Sequence, residues 1–353
     1  MSNLRNPQYD AWLFWVPTYQ CNLECNYCKN AWWSGYSRYV SEIFTKTDNI
    51  NISALKNTLN NSNKIYRIDF TGGEPFLVSN MVELCIELTK KHFISFNTNL
   101  TSKKVKEFAE KINPERVLFI NASCHIKELE RMNLLSRYIH NFLLCKNRGF
   151  DIRAIEVGYP PLLKESDKYK RFFLEKGIEL TFSPYHGKYK GKFYPDSYSE
   201  KELKIFGLTE KDINQFYQYG KLCNAGYNVG IIHPNGDIRY CFLINKSLGN
   251  IYEGIKFNDK LTRCPFKYCY CPLNIFDPYL FRKAISEVGS YDSEWIQPFK
   301  NRIKEYMENL FPLKCHNQIE RKQNYLTDNT RKLIIEIFMR NKFTRKYLFK
   351  HWI

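Results

Sequence analysis

The chain has 353 residues, of which 44% are hydrophobic, and its formal net charge is +17. This size permits one large domain with an appendage, and the absence of an uninterrupted run of about 18 apolar residues excludes a transmembrane segment. The first residues lack the apolar run of a secretion signal, and most of the 12 cysteines lie in metal-like clusters rather than in a disulfide framework. We therefore expect a cytoplasmic protein.

The first predicted strand, residues 12–16, leads directly into a loop with three closely spaced cysteines. Cys21, Cys25 and Cys28 follow the pattern Cys-x3-Cys-x2-Cys. A closed [4Fe–4S] cube takes four cysteines, so three predict a cluster with one open iron. A structural zinc site is the alternative, although it usually has paired cysteine knuckles and four ligands. An open iron can bind a small molecule and pass an electron to it, which indicates radical chemistry carried out by a cofactor.

A second motif follows the next strand. After a predicted helix over residues 53–60, residues 65–70 read as a buried strand that runs into Thr71-Gly72-Gly73-Glu74-Pro75. Two glycines let the backbone approach a ligand closely, and a carboxylate can pair with an ammonium group. This turn, the three-cysteine loop and the aromatic Tyr27 before its last cysteine together resemble the signature of the radical S-adenosylmethionine (radical SAM) superfamily.

Strand-like and helix-like stretches continue to alternate as far as residue 184. Six strands that alternate with helices predict parallel βαβ units, an α/β fold. The resemblance implies a partial (β/α)6 TIM-like barrel over residues 1–186, with the chemistry at the carboxyl ends of the strands, where all the motifs above lie. The remaining strands are expected at residues 93–96, 117–120, 152–157 and 178–182, and the helices at 80–91, 102–112, 129–146 and 168–175.

The resemblance also implies roles for individual side chains. The three loop cysteines would hold the catalytic cluster, whose open iron chelates SAM, and a reducing partner such as flavodoxin or ferredoxin would supply the electron. The cleaved SAM would yield a 5′-deoxyadenosyl radical that abstracts a hydrogen from the substrate. The expected SAM contacts are Gly72, Gly73 and Glu74 at the ammonium group, Tyr27 near the adenine, and Asn99 and Ser123 at the ribose or carboxylate.

Further polar side chains at or near strand ends are candidates for catalytic proton transfer. Each of them alone is more often structural or solvent-facing, and a lone cysteine is more often a packing residue. These candidates are Cys124, His125, Glu156, Tyr185 and His186. Cys85 and Cys145 fall within helix patterns and are expected to be buried packing residues.

A second unit is expected over residues 204–275, after a linker at 187–203 that is rich in glycine, lysine and tyrosine. A substrate loop is the alternative interpretation of the linker. In the second unit, Cys223 and Cys241 flank a predicted hairpin with its turn at residues 234–237. This arrangement is similar to the auxiliary-cluster appendages of radical SAM enzymes, which are called twitch or SPASM domains.

The cysteine count favours one auxiliary [4Fe–4S] cluster, the twitch case. Six cysteines follow residue 200, whereas a full SPASM domain needs about seven for two clusters. Cys223, Cys241, Cys269 and Cys271 are the preferred ligands, Cys264 is a fifth candidate, and a zinc ribbon on the same cysteines is the alternative.

The substrate is the least determined feature. Enzymes that resemble this chain act on peptides, sulfatase precursors, aminoglycosides and other sugars. An auxiliary cluster can accept an electron from a substrate radical, which favours an oxidoreductase. The short stretch before the first strand argues against leader-dependent peptide maturation, and the basic surface favours a sugar-type or other small anionic substrate. A peptide-modifying maturase, an RNA-modifying enzyme and a non-catalytic metal-binding interaction protein remain alternatives.

The final segment, residues 276–353, is expected to be a basic helical extension. Residues 331–353 carry seven lysines and arginines against one acid, a net charge of +6. Ile335, Met339, Phe343 and Tyr347 recur every four residues. This pattern suits a helix docked on the barrel or a peripheral membrane contact.

Overall fold

A computed structural model describes residues 7–30, 49–210, 218–266 and 277–288. All of these belong to one compact unit, Met1–Val288, and a second unit comprises Gly289–Ile353. Cys269, Cys271 and the predicted amphipathic segment at 331–353 lie outside the described residues. Among the described helices, none is long and apolar enough to cross a membrane.

Six parallel strands, adjacent in chain order, form the main part of the sheet. They are β1 (Ala11–Trp15), β2 (Tyr66–Phe70), β3 (Phe93–Thr98), β4 (Val117–Ser123), β5 (Ile152–Gly158) and β6 (Leu180–Pro184). Parallel neighbours require crossover connections, and helices supply them here. The predicted α/β fold with six parallel strands is confirmed.

Eight helices connect these six strands within the described chain. They are α1 (Asn26–Asn30), α2 (Ile52–Asn61), α3 (Met81–Leu88), α4 (Lys104–Lys111), α5 (Ile126–Arg131), α6 (Leu135–Asn147), α7 (Pro160–Leu163) and α8 (Ser166–Leu174). The sequence predicted one helix over 129–146, and this was wrong. The chain breaks between α5 and α6, where Asn133 adopts a left-handed conformation with φ 55°. Asparagine tolerates that conformation better than most residues.

The sheet extends past β1 on its other side. Strand β10 (Val229–Ile232) pairs in parallel with β1, so that Leu13 lies opposite Gly230. Strands β11 (Asp237–Arg239), β12 (Ser247–Asn250) and β13 (Gly254–Ile255) then follow in antiparallel order. The predicted hairpin at 234–237 therefore continues the sheet of the barrel rather than forming a sheet of its own.

The segment after β6 is folded, although the sequence favoured a linker there. Residues 187–194 form an antiparallel hairpin of β7 (Gly187–Tyr189) and β8 (Lys192–Tyr194), and α9 (Glu200–Ile205) follows. Lys190 and Gly191 both have positive φ angles, 46° and 79°, which is the backbone of a tight two-residue hairpin turn. We therefore replace the linker interpretation of this part with a hairpin.

Two hydrophobic clusters hold these elements together. The larger includes stacked rings between the strands and the outer helices, with 4.9 Å between the ring centroids of Phe70 and Phe96. The smaller packs α10 (Pro278–Val288) against the sheet through Leu280. Next to it, Arg67 contacts Asp69 at 2.6 Å and Asp277 at 3.2 Å, which fastens the start of α10 to β2.

Candidate active site

The turn after β2 is bonded to the cysteine loop through the backbone. The Gly73 N–H donates to the Thr18 carbonyl at 2.9 Å, and the Glu74 N–H donates to the Gln20 carbonyl at 2.8 Å. Side chains at the two glycines would collide with this loop: an added Cβ would lie 2.6 Å from the Thr18 oxygen at Gly72 and 2.0 Å from the Gln20 oxygen at Gly73. The two glycines are therefore needed for the close packing of the backbone at Thr18 and Gln20. Their contact with SAM remains a prediction.

Replacing Gly73 by alanine is expected to destabilise this junction. The methyl group meets backbone rather than a flexible side chain, so the cysteine loop or the turn must move, at a cost of about 1–3 kcal/mol in the free energy of unfolding. Urea unfolding measures this cost. Gly254→Ala is the control, because nothing lies within 4 Å of its Cβ position. Equal stability of the two variants would contradict the packing argument.

Glu74 is a buried carboxylate at the centre of this junction, 1% exposed. Its Oε1 accepts hydrogen bonds from the Phe76 N–H at 3.1 Å and the Thr98 hydroxyl at 2.8 Å, and its Oε2 accepts from the Asn99 N–H at 2.7 Å. Burial raises the pKa of Glu74 to about 7, against these hydrogen bonds, which lower it. The group is thus a rigidly held hydrogen-bond acceptor at the carboxyl edge of the sheet.

The three cysteines share the loop that this junction fixes. Cys25 is buried, and Cys21 and Cys28 are exposed. The Leu23 N–H lies 3.4 Å from the Cys21 sulfur, and the Asn99 amide lies 3.7 Å from it. Desolvation by the surrounding protein raises the pKa of the Cys21 thiol to about 11, although part of this residue is exposed, and burial raises the pKa of Cys25 to about 12; the neighbouring thiols make smaller contributions.

The donor set fits a three-cysteine iron–sulfur cluster. The thiols lie within electrostatic reach of one another, and N–H groups point at the Cys21 sulfur. Across the described ranges, no three His, Cys, Asp or Glu side chains are already gathered around one metal position. Ligation of a metal by these thiols would displace their protons despite the raised pKa values.

Asn99 and Ser123, the other expected cofactor contacts, lie at the ends of neighbouring strands. The Asn99 side chain donates to Asn22 Oδ1 at 3.0 Å and accepts from the Thr101 hydroxyl at 2.6 Å, which links β3 to the cysteine loop. Ser123 is the last residue of β4. Thr98 and Asn22 were not singled out from the sequence, because short polar residues at strand ends give no distinct pattern.

Tyr27 lies against a group of three candidate residues at the ends of β4 and β5. Its hydroxyl is hydrogen-bonded to His125 Nδ1. Glu156 is fully buried and accepts from the Ile126 and Val157 N–H groups, both at 2.7 Å. Burial lowers the pKa of His125 to about 4 and raises that of Glu156 to about 7.

Cys124, the third of the candidates beside Tyr27, is also fully buried, and burial raises the pKa of its thiol well above the usual value. His125, whose pKa is lowered to about 4, is neutral at pH 7. Glu156 satisfies the first N–H of α5, which is a structural task, and catalytic roles for these residues stay predictions.

The pH dependence of stability offers a test of the Glu156 environment. The pKa of Glu156 is about 7 in the folded chain, whereas its ordinary value, which applies to the unfolded chain, is 4.5. Between these two pH values the folded state therefore keeps a proton that the unfolded state has lost. The carboxyl contribution to stability therefore falls as pH rises from about 4.5 to about 7. Glutamine mimics the neutral form, so the destabilisation by Glu156→Gln is expected to shrink over this range, by about 3 kcal/mol at most. Urea unfolding at several pH values measures this; a constant difference would contradict the shifted pKa.

Tyr185 and His186 directly follow β6, at the same carboxyl edge of the sheet as the other candidate residues. Tyr185 is buried, and its N–H donates to the Tyr198 hydroxyl at 2.8 Å. Burial raises the pKa of Tyr185 to about 12, with smaller contributions from Tyr159 and the Cys28 thiol, and lowers that of His186 to about 4. Tyr159 links this group to the cysteine loop, with ring centroids 5.4 Å from Tyr27 and 5.3 Å from Tyr185. The sequence analysis missed Tyr159, although it directly follows β5.

Three of the five cysteines that are candidates for the auxiliary cluster lie within the described residues. Cys223 lies on β9 (Leu222–Cys223), which pairs with β14 (Thr262–Arg263), directly before Cys264. The Cys241 sulfur accepts from the Ile244 N–H at 3.3 Å, and its pKa is raised by burial and, to a smaller extent, by the Cys264 thiol. Cys264, the fifth candidate, thus lies within electrostatic reach of Cys241.

Comparison with known proteins supports an iron–sulfur domain. Residues 12–124 match the family model of a 4Fe-4S single cluster domain. This stretch contains the three-cysteine loop, the turn at 71–75 and the first four strands, so the predicted [4Fe–4S] cofactor is confirmed there. No curated protein is significantly similar in sequence.

Several solved structures are similar to the chain at low identity. Native anSMEcpe with bound AdoMet is 19% identical, with 69% of this chain and 78% of that chain covered and a TM-score of 0.45. Streptococcus suis SuiB bound to S-adenosylmethionine is 18% identical, with 69% and 64% covered and a TM-score of 0.47. Hexahistidine-tagged anSMEcpe with bound AdoMet is 16% identical, with 91% and 97% covered and a TM-score of 0.47. These TM-scores are too low for the likeness to decide function.

Proposed function

We propose that this protein is a radical SAM enzyme. Cys21, Cys25 and Cys28 would hold a [4Fe–4S] cluster, and SAM would bind between that cluster and the turn at residues 72–74. The single observation that carries the proposal is the backbone bonding of this turn to residues 18–20, because it brings a buried carboxylate and three thiols to one edge of a parallel sheet. A bound cluster of this type supplies the electron that cleaves SAM to methionine and a 5′-deoxyadenosyl radical.

The chain's own residues would bind and shield the reactants. The Glu74 carboxylate would accept the SAM ammonium group, and its existing hydrogen bonds to Phe76, Thr98 and Asn99 would keep it in place. The Asn99 amide would donate to the Cys21 thiolate and stabilise its charge. The aromatic rim of Tyr27, Tyr159 and Tyr185 would exclude water from the space above the cluster.

The reaction class is inferred from the auxiliary site and the charge. Cys223, Cys241 and Cys264, together with Cys269 or Cys271, would hold a second cluster. That cluster would supply an electron acceptor, so the proposed reaction is an oxidation of the substrate. The net charge of +17 favours a small anionic substrate, such as a sugar derivative. Flavodoxin or ferredoxin would serve as the reductant.

The function is tested on full-length protein reconstituted without oxygen. We expect 5′-deoxyadenosine to form from SAM when dithionite is added, with about eight irons and eight sulfides per chain. Iron-loaded protein that forms no 5′-deoxyadenosine would contradict the proposed activity. Zinc in place of iron at both cysteine groups would overturn the enzyme assignment.

The auxiliary site makes a separate prediction. Replacing Cys223, Cys241 and Cys264 by alanine is expected to remove about four of the irons, because one cluster loses most of its ligands. The iron and sulfide content of the purified variant measures this. An unchanged iron content with loss of bound zinc would identify a zinc ribbon instead.

A further inference from the structure

The β7–β8 hairpin presents two faces of different composition. In an antiparallel pair, directly opposite residues share a face, and the faces alternate along each strand. Tyr189 lies opposite Lys192 and Gly187 opposite Tyr194, so these four share one face, while Lys188 and Phe193 share the other.

The face with the tyrosines is the one turned to the barrel. The ring centroid of Tyr189 lies 5.1 Å from that of Tyr159, and that of Tyr194 lies 6.3 Å from that of Tyr185. Phe193, on the opposite face, is 64% exposed. Lys190 occupies the turn and places its Nζ 5.6 Å from the Tyr189 ring centroid, beside the inner face.

The inner face offers hydrogen-bond donors without matching acceptors. The side chains of Tyr159, Tyr189, Lys190 and Lys192 have no hydrogen-bond or ion-pair partner among the described residues; the two tyrosines are half-buried and the two lysines are exposed. The rings of Tyr159 and Tyr189 pack edge to face. The ammonium groups of Lys190 in the turn and Lys192 on β8, together with the hydroxyl groups of Tyr189 and the neighbouring Tyr159, suit an anion with several oxygens and about two charges.

This donor group, which we call the inner-face cluster, lies next to the reaction centre. The ring centroids of Tyr159 and Tyr27 are 5.4 Å apart, and Tyr27 directly precedes Cys28. Only two ring contacts therefore separate Tyr189 from the cysteine loop.

We propose that the inner-face cluster (Tyr159, Tyr189, Lys190 and Lys192) binds a phosphate or diphosphate group of the substrate and thereby holds the substrate at the mouth of the barrel. A phosphate ester carries about two charges and three free oxygens, which match two lysines and two hydroxyls better than a single carboxylate does. That the ligand is the substrate rests on the proposed function; the phosphate binding itself does not.

The hairpin supplies its own matched control. Lys190→Gln/Lys192→Gln removes the inner-face charges, and Lys188→Gln removes a lysine from the outer face of the same hairpin. We expect the affinity of reconstituted protein for inorganic pyrophosphate, measured by calorimetry, to fall about tenfold or more in the first variant and about twofold or less in the second. Tyr189→Phe, which keeps the ring, should weaken binding by a smaller factor.

A second probe identifies the source of the phosphate. Vesicles of phosphatidylcholine with phosphatidic acid, compared with phosphatidylcholine alone, test a lipid-linked phosphate. Binding of pyrophosphate or of the phosphatidic acid vesicles that requires Lys190 and Lys192 supports the proposal. Equal loss in the Lys188 variant, or displacement of pyrophosphate by SAM, would overturn it. If the wild type binds pyrophosphate through these lysines but cleaves no SAM, the proposed function fails and the phosphate site stands. If it cleaves SAM and binding ignores the lysines, only the phosphate site fails.

Discussion

Simultaneous replacement of Cys21, Cys25 and Cys28 by alanine is expected to abolish the formation of 5′-deoxyadenosine and to remove about four irons per chain. Thiolates are the only side chains in this loop that suit a [4Fe–4S] cluster, and the loop lies within the matched iron–sulfur domain. The measurement is an iron and sulfide count on anaerobically reconstituted protein, followed by the SAM cleavage assay with dithionite. Retained cleavage would contradict the assignment of this loop.

The matched control is Cys85→Ala with Cys145→Ala. Both thiols are fully buried in helices of the hydrophobic core, away from the strand ends, so their loss should cost about 1 kcal/mol each in stability and leave the iron content unchanged. Loss of iron in this control as well would show that general destabilisation, rather than ligand removal, explains the triple variant.

The sequence predicted the six parallel strands because each is short, apolar and bounded by turn residues. Residues 65–70 illustrate this, since a buried strand ends at Phe70 and a glycine-rich turn begins. The break at Asn133 was missed because it depends on one left-handed residue within an otherwise helical pattern. The β7–β8 hairpin was missed because its composition resembles a flexible linker, whereas the barrel-facing tyrosines order it through contacts with distant residues.

Within the site, the sequence indicated which residues lie near one another but not which atoms each of them contacts. Gly72 and Gly73 were expected to approach a ligand, and the structure shows the loop of Thr18–Gln20 in the space that a Cβ would need. Glu156 was a catalytic candidate, and it accepts a hydrogen bond from the Ile126 N–H, the first residue of α5. Such contacts join residues 30 or more positions apart, and periodicity and motif spacing carry no information about them.

Glu74→Gln is expected to weaken SAM binding about tenfold or more, because it removes the negative charge that would pair with the SAM ammonium group. It is also expected to lower stability by about 1–3 kcal/mol. If the glutamine oxygen keeps the bonds from Phe76 and Thr98, its NH₂ group faces the Asn99 N–H, and two donors meet in a buried site. Equilibrium binding of SAM to reconstituted protein and urea unfolding measure the two effects separately.

Glu156→Gln separates the loss of charge at the SAM site from the general cost of altering a buried carboxylate. Glu156 is as buried as Glu74, its pKa is also about 7, and it too accepts backbone N–H bonds on both oxygens. Both substitutions should therefore destabilise the fold to a similar extent at a given pH. Of the two residues, only Glu74 belongs to the turn that is bonded to the cysteine loop, so only Glu74→Gln should reduce SAM affinity. An equal loss of affinity in both variants would mean that Glu74 acts through stability, and the ammonium group would need another acceptor.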